Sequence, residues 1–221
     1  MGRMLETERE QVAAAARRLA AAGLVAGTSG NVSARRDDRI AITPTGGVLA
    51  ELEAGDVTVV DRDGDVVEGE LAPTSEIDLH LGIYDSFAAG AVVHSHAPMA
   101  TALSCVLDEL PCVHYEMLML GGTVRVAPYA TFGTPALARA VIEALDGRTA
   151  ALMANHGAVT HGIDVAAAVR ATELLEWAAN VYWNAHAIGS PRVLDETQQQ
   201  AVVEAALGRG YGRVRPAEHA S

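Results

Sequence analysis

Short β-branched apolar runs and longer mixed apolar–polar stretches interleave along this chain, with Gly, Pro, Asp and Ser marking the breaks between them. Thr7 and Glu10 have the spacing of a capping box and Gly23 sits where a C-cap belongs, which predicts a first helix over 7–22. In GTSGNVSARRDDRIAITPTGG (27–47), short β-like pieces at 31–35 and 39–43 predict a hairpin and two glycine-bearing turns. A second hairpin is predicted over 56–70, where valine-rich strands flank Arg62-Asp63-Gly64. Pro73, with Thr74 or Ser75 as N-cap, opens a helix over 75–87. The apolar run 91–93 reads as a buried strand, 98–107 as helix and 123–129 as strand. Thr134-Pro135 and Gly147 bound a helix over 135–146, and 150–153 is another buried strand. Asp164 caps a long helix ending near Gly189, 195–207 is the last helix, and the polar tail after about 213 is expected to fray.

The hairpins break the strict βαβ alternation of a doubly wound sheet. The pattern therefore predicts an α/β chain in three layers, with a central mixed, mainly antiparallel sheet flanked by helices. No internal repeat or low-complexity linker divides it. With 221 residues, half of them hydrophobic, the expectation is one domain over 1–221.

Composition narrows the function classes. Aromatics are only 4% of the chain and the formal charge is −12, so bases find little to stack on and phosphate backbones are repelled; nucleic acid is not an expected partner. Cys105 and Cys112 fit neither a redox pair nor a disulfide framework, which points to a reducing compartment. No stretch resembles a signal peptide or a membrane span, so no membrane association is expected and the expected location is the cytoplasm.

Candidate chemistry centres on histidine. In an extended segment residues i and i+2 face the same way, so His94 and His96 of AVVHSHAP aim two imidazoles at one point. The run 150–153 delivers His156 in the same manner. Three imidazoles with positions left open are the ligand set of a catalytic Zn²⁺ site, one ion per chain, with another divalent metal as the variant. A lone histidine is more often a satisfied core or loop residue; the H-x-H pair joined by a third outweighs that reading. Three segments, 27–33, 42–47 and 73–76, are rich in glycine, hydroxyls and backbone donors, and together suit a phosphate, although each alone is an ordinary turn. None matches a P-loop or a dinucleotide fingerprint. Glu76, at the start of its helix, is a capping charge or a general base beside the metal. His80, one turn further on the same face, reads as a packing or surface residue, with support of the site as the alternative. His161 could compete with His156, His114 should point away from Tyr115 if that segment is extended, and His186 and His219 read as helix-surface and tail residues.

The ordered set GTSGNVSAR, ITPTG, PTSE, VVHSHAP, CVHYEM, APYATFGT and NHGAV resembles the class II aldolase/adducin-head superfamily over about residues 7–213. Within it, the set is most similar to the bacterial L-fuculose-1-phosphate aldolases. The resemblance implies a zinc site of His94, His96 and His156. It implies a phosphate site using Thr28, Asn31, Thr45, Gly46, Thr74 and Ser75, with Glu76 as catalytic acid/base. It further implies a ring-shaped homotetramer with active sites at subunit interfaces. There Tyr115 of a neighbouring subunit donates a proton, and Tyr211 closes over the site. The implied reaction is reversible cleavage of a ketose 1-phosphate, L-fuculose 1-phosphate-like, to dihydroxyacetone phosphate and an aldehyde through a metal-stabilised ene-diolate.

The chain departs from that pattern at Thr74-Ser75, where two serines are frequent, and at Ile77-Asp78-Leu79, where an aromatic residue follows the glutamate. Alternatives on the same scaffold are pentulose-phosphate 4-epimerases, methylthioribulose-phosphate dehydratases and metal-dependent decarboxylases. Epimerases typically carry aspartate at the glutamate position. A non-enzymatic adducin-like module would be expected to lack the metal ligands, and a generic zinc protein would not need the three anion-binding segments.

Overall fold

A computed structural model describes residues 4–209. In chain order the elements are α1 (Glu6–Ala21), β1 (Asn31–Arg36), β2 (Arg39–Ile42), β3 (Thr58–Val60), β4 (Val66–Glu68), α2 (Ile77–Ser86), β5 (Ala91–Ser95) and α3 (Pro98–Ser104). There follow β6 (Glu109–Leu110), a 3₁₀ segment (Tyr115–Leu120), β7 (Val124–Ala127), α4 (Pro135–Ala144), β8 (Ala150–Met153), β9 (Gly157–Gly162), α5 (Val165–Ile188) and α6 (Glu196–Arg209). The strands form a nine-stranded sheet in the order β4-β3-β2-β1-β5-β9-β8-β7-β6. Only β7 and β8 run parallel; every other neighbouring pair is antiparallel.

Strand alternation sends side chains to two cores. Ala91 and Val93 of β5, and Ala150 and Leu152 of β8, pack under α1, α3 and α5. Val92, Ala151 and Met153 point the other way, under α2 and α4 with Leu79, Ile83, Leu137 and Val141. This is the three-layer, mainly antiparallel arrangement that the hairpin pattern predicts. Small residues in the strands and in α5 let the layers approach closely.

Helix caps follow the sequence at two predicted places. Thr134 Oγ1 accepts from Leu137 N at 3.3 Å with Pro135 at the first helical position, and Asp164 Oδ1 accepts from Ala167 N at 2.7 Å. Elsewhere the local reading is corrected. The capping box at Thr7 does not form: Leu5 is the N-cap, in a left-handed conformation (φ 52°), and Thr7 lies inside the first turn. α2 begins at Ile77, so Glu76 is its N-cap and directs its carboxylate away from the helix. α3 stops at Ser104, short of 107. Three elements are additional, strand β6, the 3₁₀ segment at 115–120 and strand β9, because none has a strong apolar period.

Candidate active site

The site forms where the ends of β1, β5 and β8 meet the start of α2. Asn31, first residue of β1, pairs in register with His94 on β5. By strand parity with Val92, His94 projects to the α2 side. His96 follows the end of β5. His156 sits in the β8–β9 turn, after Asn155 in a left-handed conformation (φ 56°), and its N–H closes the turn on Met153 O at 3.0 Å. Two glycines allow this close approach. A Cβ on Gly157 would meet Ser95 O at 2.4 Å, and one on Gly30 (φ +85°) would meet His94 O at 2.9 Å.

The ring centroids of His94, His96 and His156 lie 4.8, 4.8 and 5.2 Å apart, and one ligand atom from each falls within 4.8 Å of the others. His94 donates its Nδ1–H to Ala158 O at 3.0 Å, which turns Nε2 toward the other rings. His96 Nε2 lies 3.0 Å from His94 Nε2. Glu76 reaches the same point, with Oε2 3.2 Å from His94 Nε2 and Oε1 3.6 Å from His156 Nε2. Oε1 is buried without a hydrogen-bond partner among the described residues. A buried carboxylate oxygen facing converging imidazole nitrogens fits a divalent cation, and the three histidines are the residues that could hold it.

Electrostatics suit that role. Burial lowers the pKa of His96 to about 4, with the charges at His94 and His156 adding to it, and the His156 pKa is lowered for the same reasons. Neutral imidazole is the form that binds metal. For Glu76 burial works against ionisation, but the hydrogen bond and charge at His94, the Asn31 amide and the charge at His156 outweigh it. They hold the carboxyl at about 2.

A cavity of about 320 Å³ opens onto this cluster and is lined by Thr28, Asn31, Thr45, Gly46, Thr74, Ser75, Glu76, His96 and His156, all singled out from the sequence. His94 is fully buried behind them. Among the described residues neither Arg nor Lys lines the cavity, so an anion would be met there by hydroxyls, Asn31 and backbone N–H groups. Tyr115 is not brought to this cavity: it is 41% exposed, packs against His114 and stands near Trp177 through that ring. Tyr211 lies outside the described residues.

Sequence reasoning missed one feature here and left a second open between packing, surface and support of the site. Phe132, in the loop before α4, lines the cavity while being 64% exposed. A loop aromatic carries no periodic signal; the motif APYATFGT was the available cue. His80 is no surface residue. It is fully buried, with Nε2 on Asn31 Oδ1 at 2.5 Å and Nδ1 on Ser33 Oγ at 2.7 Å.

Burial also lowers the His80 pKa from 6.5 to about 3. The unfolded chain takes up this proton near 6.5 and the fold refuses it until about 3, so stability present above 6.5 is lost as pH falls between those values. On moving from pH 7.5 to 5.5, the melting temperature should drop further for wild type than for His80→Gln. Parallel drops in the two proteins would refute this.

Residues 10–183 match the family model described as Class II Aldolase and Adducin N-terminal domain, and the chain belongs to this family. It is a lyase of the class II aldolase type, a family whose members depend on a metal, and the histidine triad is a site that could bind one. The chain is 37% identical over 213 residues to 5-deoxy-D-ribulose 1-phosphate aldolase of Bacillus thuringiensis, covering 95% of this chain and 99% of that protein. It is 38% identical over 192 residues to the 5-methylthioribulose-1-phosphate/5-deoxyribulose-1-phosphate aldolase of Rhodospirillum rubrum, covering 86% of each. A solved L-fuculose 1-phosphate aldolase superposes with a TM-score of 0.86 at 35% identity, over 90% of this chain and 95% of that one. No described helix is long and apolar enough to cross a membrane.

Proposed function

We propose that this chain is a zinc-dependent aldolase that reversibly cleaves a ketose 1-phosphate to dihydroxyacetone phosphate and a short aldehyde. One observation carries the reading: the imidazole cluster, the buried Glu76 carboxyl and an anion cradle without Arg or Lys among the described residues share one cavity. Carbon–carbon cleavage needs an electron sink. The chain contains no lysine, since all 16 of its Lys and Arg residues are arginines, so a Schiff base on a side-chain amine is not open to it. Zinc bound by His94, His96 and His156 supplies the Lewis acidity that this chemistry requires.

The protein's own groups do the rest. Hydroxyls and backbone N–H groups of Thr28, Thr45, Gly46, Thr74 and Ser75, with Asn31 beside them, hold the phosphate and so fix the carbon to be deprotonated. In the condensation direction Glu76 takes a proton from the hydroxylated carbon of dihydroxyacetone phosphate; in cleavage it returns one to that carbon. Tyr115 of a neighbouring subunit protonates the aldehyde oxygen during condensation, and Tyr211 closes over the bound substrate. This assigns the chain to a cytoplasmic homotetramer of cyclic four-fold symmetry, each subunit one domain, with sites between subunits. Support for action in trans is the position of Tyr115, outside the cavity of its own chain. Inactive Glu76→Gln and weakened Tyr115→Phe chains should therefore recover activity when co-assembled, above the residual rate of Tyr115→Phe alone. Mixing that restores nothing would place each site within one chain.

The substrate class can be narrowed. Retro-aldol cleavage of a 5-deoxyribulose, 5-methylthioribulose or fuculose 1-phosphate leaves dihydroxyacetone phosphate and a short aldehyde ending in a methyl or methylthio group. Phe132 at the rim offers an apolar surface for that end. The test is a panel of metal-loaded incubations with 5-deoxyribulose, ribulose and fuculose 1-phosphates and the unphosphorylated ketoses, reading released aldehyde. The methyl-terminated 1-phosphates should turn over fastest. Equal turnover of a ketose and its 1-phosphate would remove the anion site, and release from none would remove the aldolase reading.

A further inference from the structure

A buried run of hydrogen bonds enters the site from behind, and the reaction steps above do not use its inner members Tyr84, Ser33 and His80. Tyr84 and His80 lie one turn apart on α2, and Ser33 faces both from β1. Tyr84 OH is 2.7 Å from Ser33 Oγ, and Ser33 Oγ is 2.7 Å from His80 Nδ1. His80 Nε2 is 2.5 Å from Asn31 Oδ1, and Asn31 Nδ2 is 3.0 Å from Glu76 Oε2. All five residues are buried.

The carboxylate end fixes the direction of donation along the run. A carboxylate only accepts, so Asn31 gives its N–H to Oε2 and turns its amide oxygen to His80. That oxygen also only accepts, so His80 carries its proton on Nε2. His80 Nδ1 then accepts from the Ser33 hydroxyl, whose oxygen accepts from Tyr84. A reversed Asn31 amide would set oxygen against carboxylate and N–H against N–H. The His80 tautomer therefore holds the amide, and the amide holds Oε2. Glu76 Oε1 alone is left without a hydrogen-bond partner among the described residues.

We propose that His80 is a positioning residue for the reaction: through Asn31 it locks Glu76 Oε2, so that Oε1 is the oxygen that takes and returns the substrate proton. This rests on Glu76 being the base. The terminal torsion of a glutamate is soft, and an unanchored carboxylate would present either oxygen at shifting positions. Proton transfer needs that oxygen within hydrogen-bond reach of one carbon-bound proton. A fully satisfied network in a buried, low-dielectric setting supplies the stiffness.

The test compares His80→Phe, which keeps a ring and removes both nitrogens, with His80→Gln, which restores a donor toward Asn31. Each variant is measured for kcat, KM and bound metal. Each is also measured for exchange of the dihydroxyacetone phosphate proton with solvent in the absence of aldehyde, which isolates the proton step. In His80→Phe, kcat and exchange should fall together by about 10–100-fold, the usual range for residues that orient a functional ligand, with KM and metal content unchanged. His80→Gln should recover most of both rates. Unchanged exchange in His80→Phe, a fall that tracks metal loss, or a His80→Gln variant as slow as His80→Phe would each overturn the proposal. If His80→Phe does not fold, His80→Leu replaces it. Leucine likewise offers Asn31 no donor and should slow exchange with metal retained; unaltered exchange there overturns the proposal equally. Glu76→Gln separates the two readings. Exchange surviving in it removes Glu76 as base and this proposal with it. Exchange lost in it but intact in His80→Phe removes only the role of His80.

Discussion

Replacing Glu76 by Gln should lower turnover by roughly 10²–10⁴-fold while the protein stays folded and keeps its metal, the usual range for loss of a general acid–base. The local structure favours a clean result. Gln can set its amide oxygen where Oε2 stands and still accept from Asn31 Nδ2, now at 3.0 Å. The amide nitrogen then takes the place of Oε1, which has no hydrogen-bond partner to lose among the described residues. The variant loses the basic oxygen together with the negative charge of the carboxylate. Binding of a substrate analogue should survive, because the cradle of Thr45, Gly46, Thr74 and Ser75 is untouched. Exchange of the dihydroxyacetone phosphate proton should fall in step with turnover, and undiminished exchange would assign the base to another residue.

The chain's chemistry was more legible than its geometry. The strand at Ala91–Ser95 could be read because it is short, apolar and runs into H-x-H, although His96 lies just past its end and only His94 is placed by strand alternation. His156 could be read as a third ligand, but not its setting in a turn on left-handed Asn155. That setting depends on β9, whose sequence GAVTHG has little apolar signal and which forms only because β5 and β8 flank it. Sheet order is long-range information. Asn31 stands opposite His94 across 63 positions of sequence because β1 pairs with β5, and no local pattern states that register. The same cause hid His80. Helical spacing put it on the face of Glu76, but its partners Ser33 and Asn31 come from a strand that only the fold places beneath α2. Thr7 illustrates the opposite failure: a local signature was present, and the left-handed Leu5 started the helix one turn-position earlier.

Removing His156 should cost the metal and, with it, nearly all activity. His156→Ala takes one of the three converging nitrogens and leaves His94 and His96, separated by Ser95 alone, as the remaining pair. Alanine suits the turn, because closure uses the backbone N–H of residue 156 on Met153 O and not the ring. The imidazole is partly exposed, so its loss opens no sealed cavity in the core. Outer partners of metal ligands commonly account for roughly 10–100-fold in affinity, and loss of a direct ligand should exceed that range. Metal per chain after buffer exchange should drop to a small fraction of wild type, turnover should drop in proportion, and the melting curve of the metal-free proteins should coincide. Activity restored by excess zinc would still agree with a weakened site. Full metal content in the washed variant would show that the ion is held elsewhere, and the cluster of His94, His96 and His156 would lose its assignment.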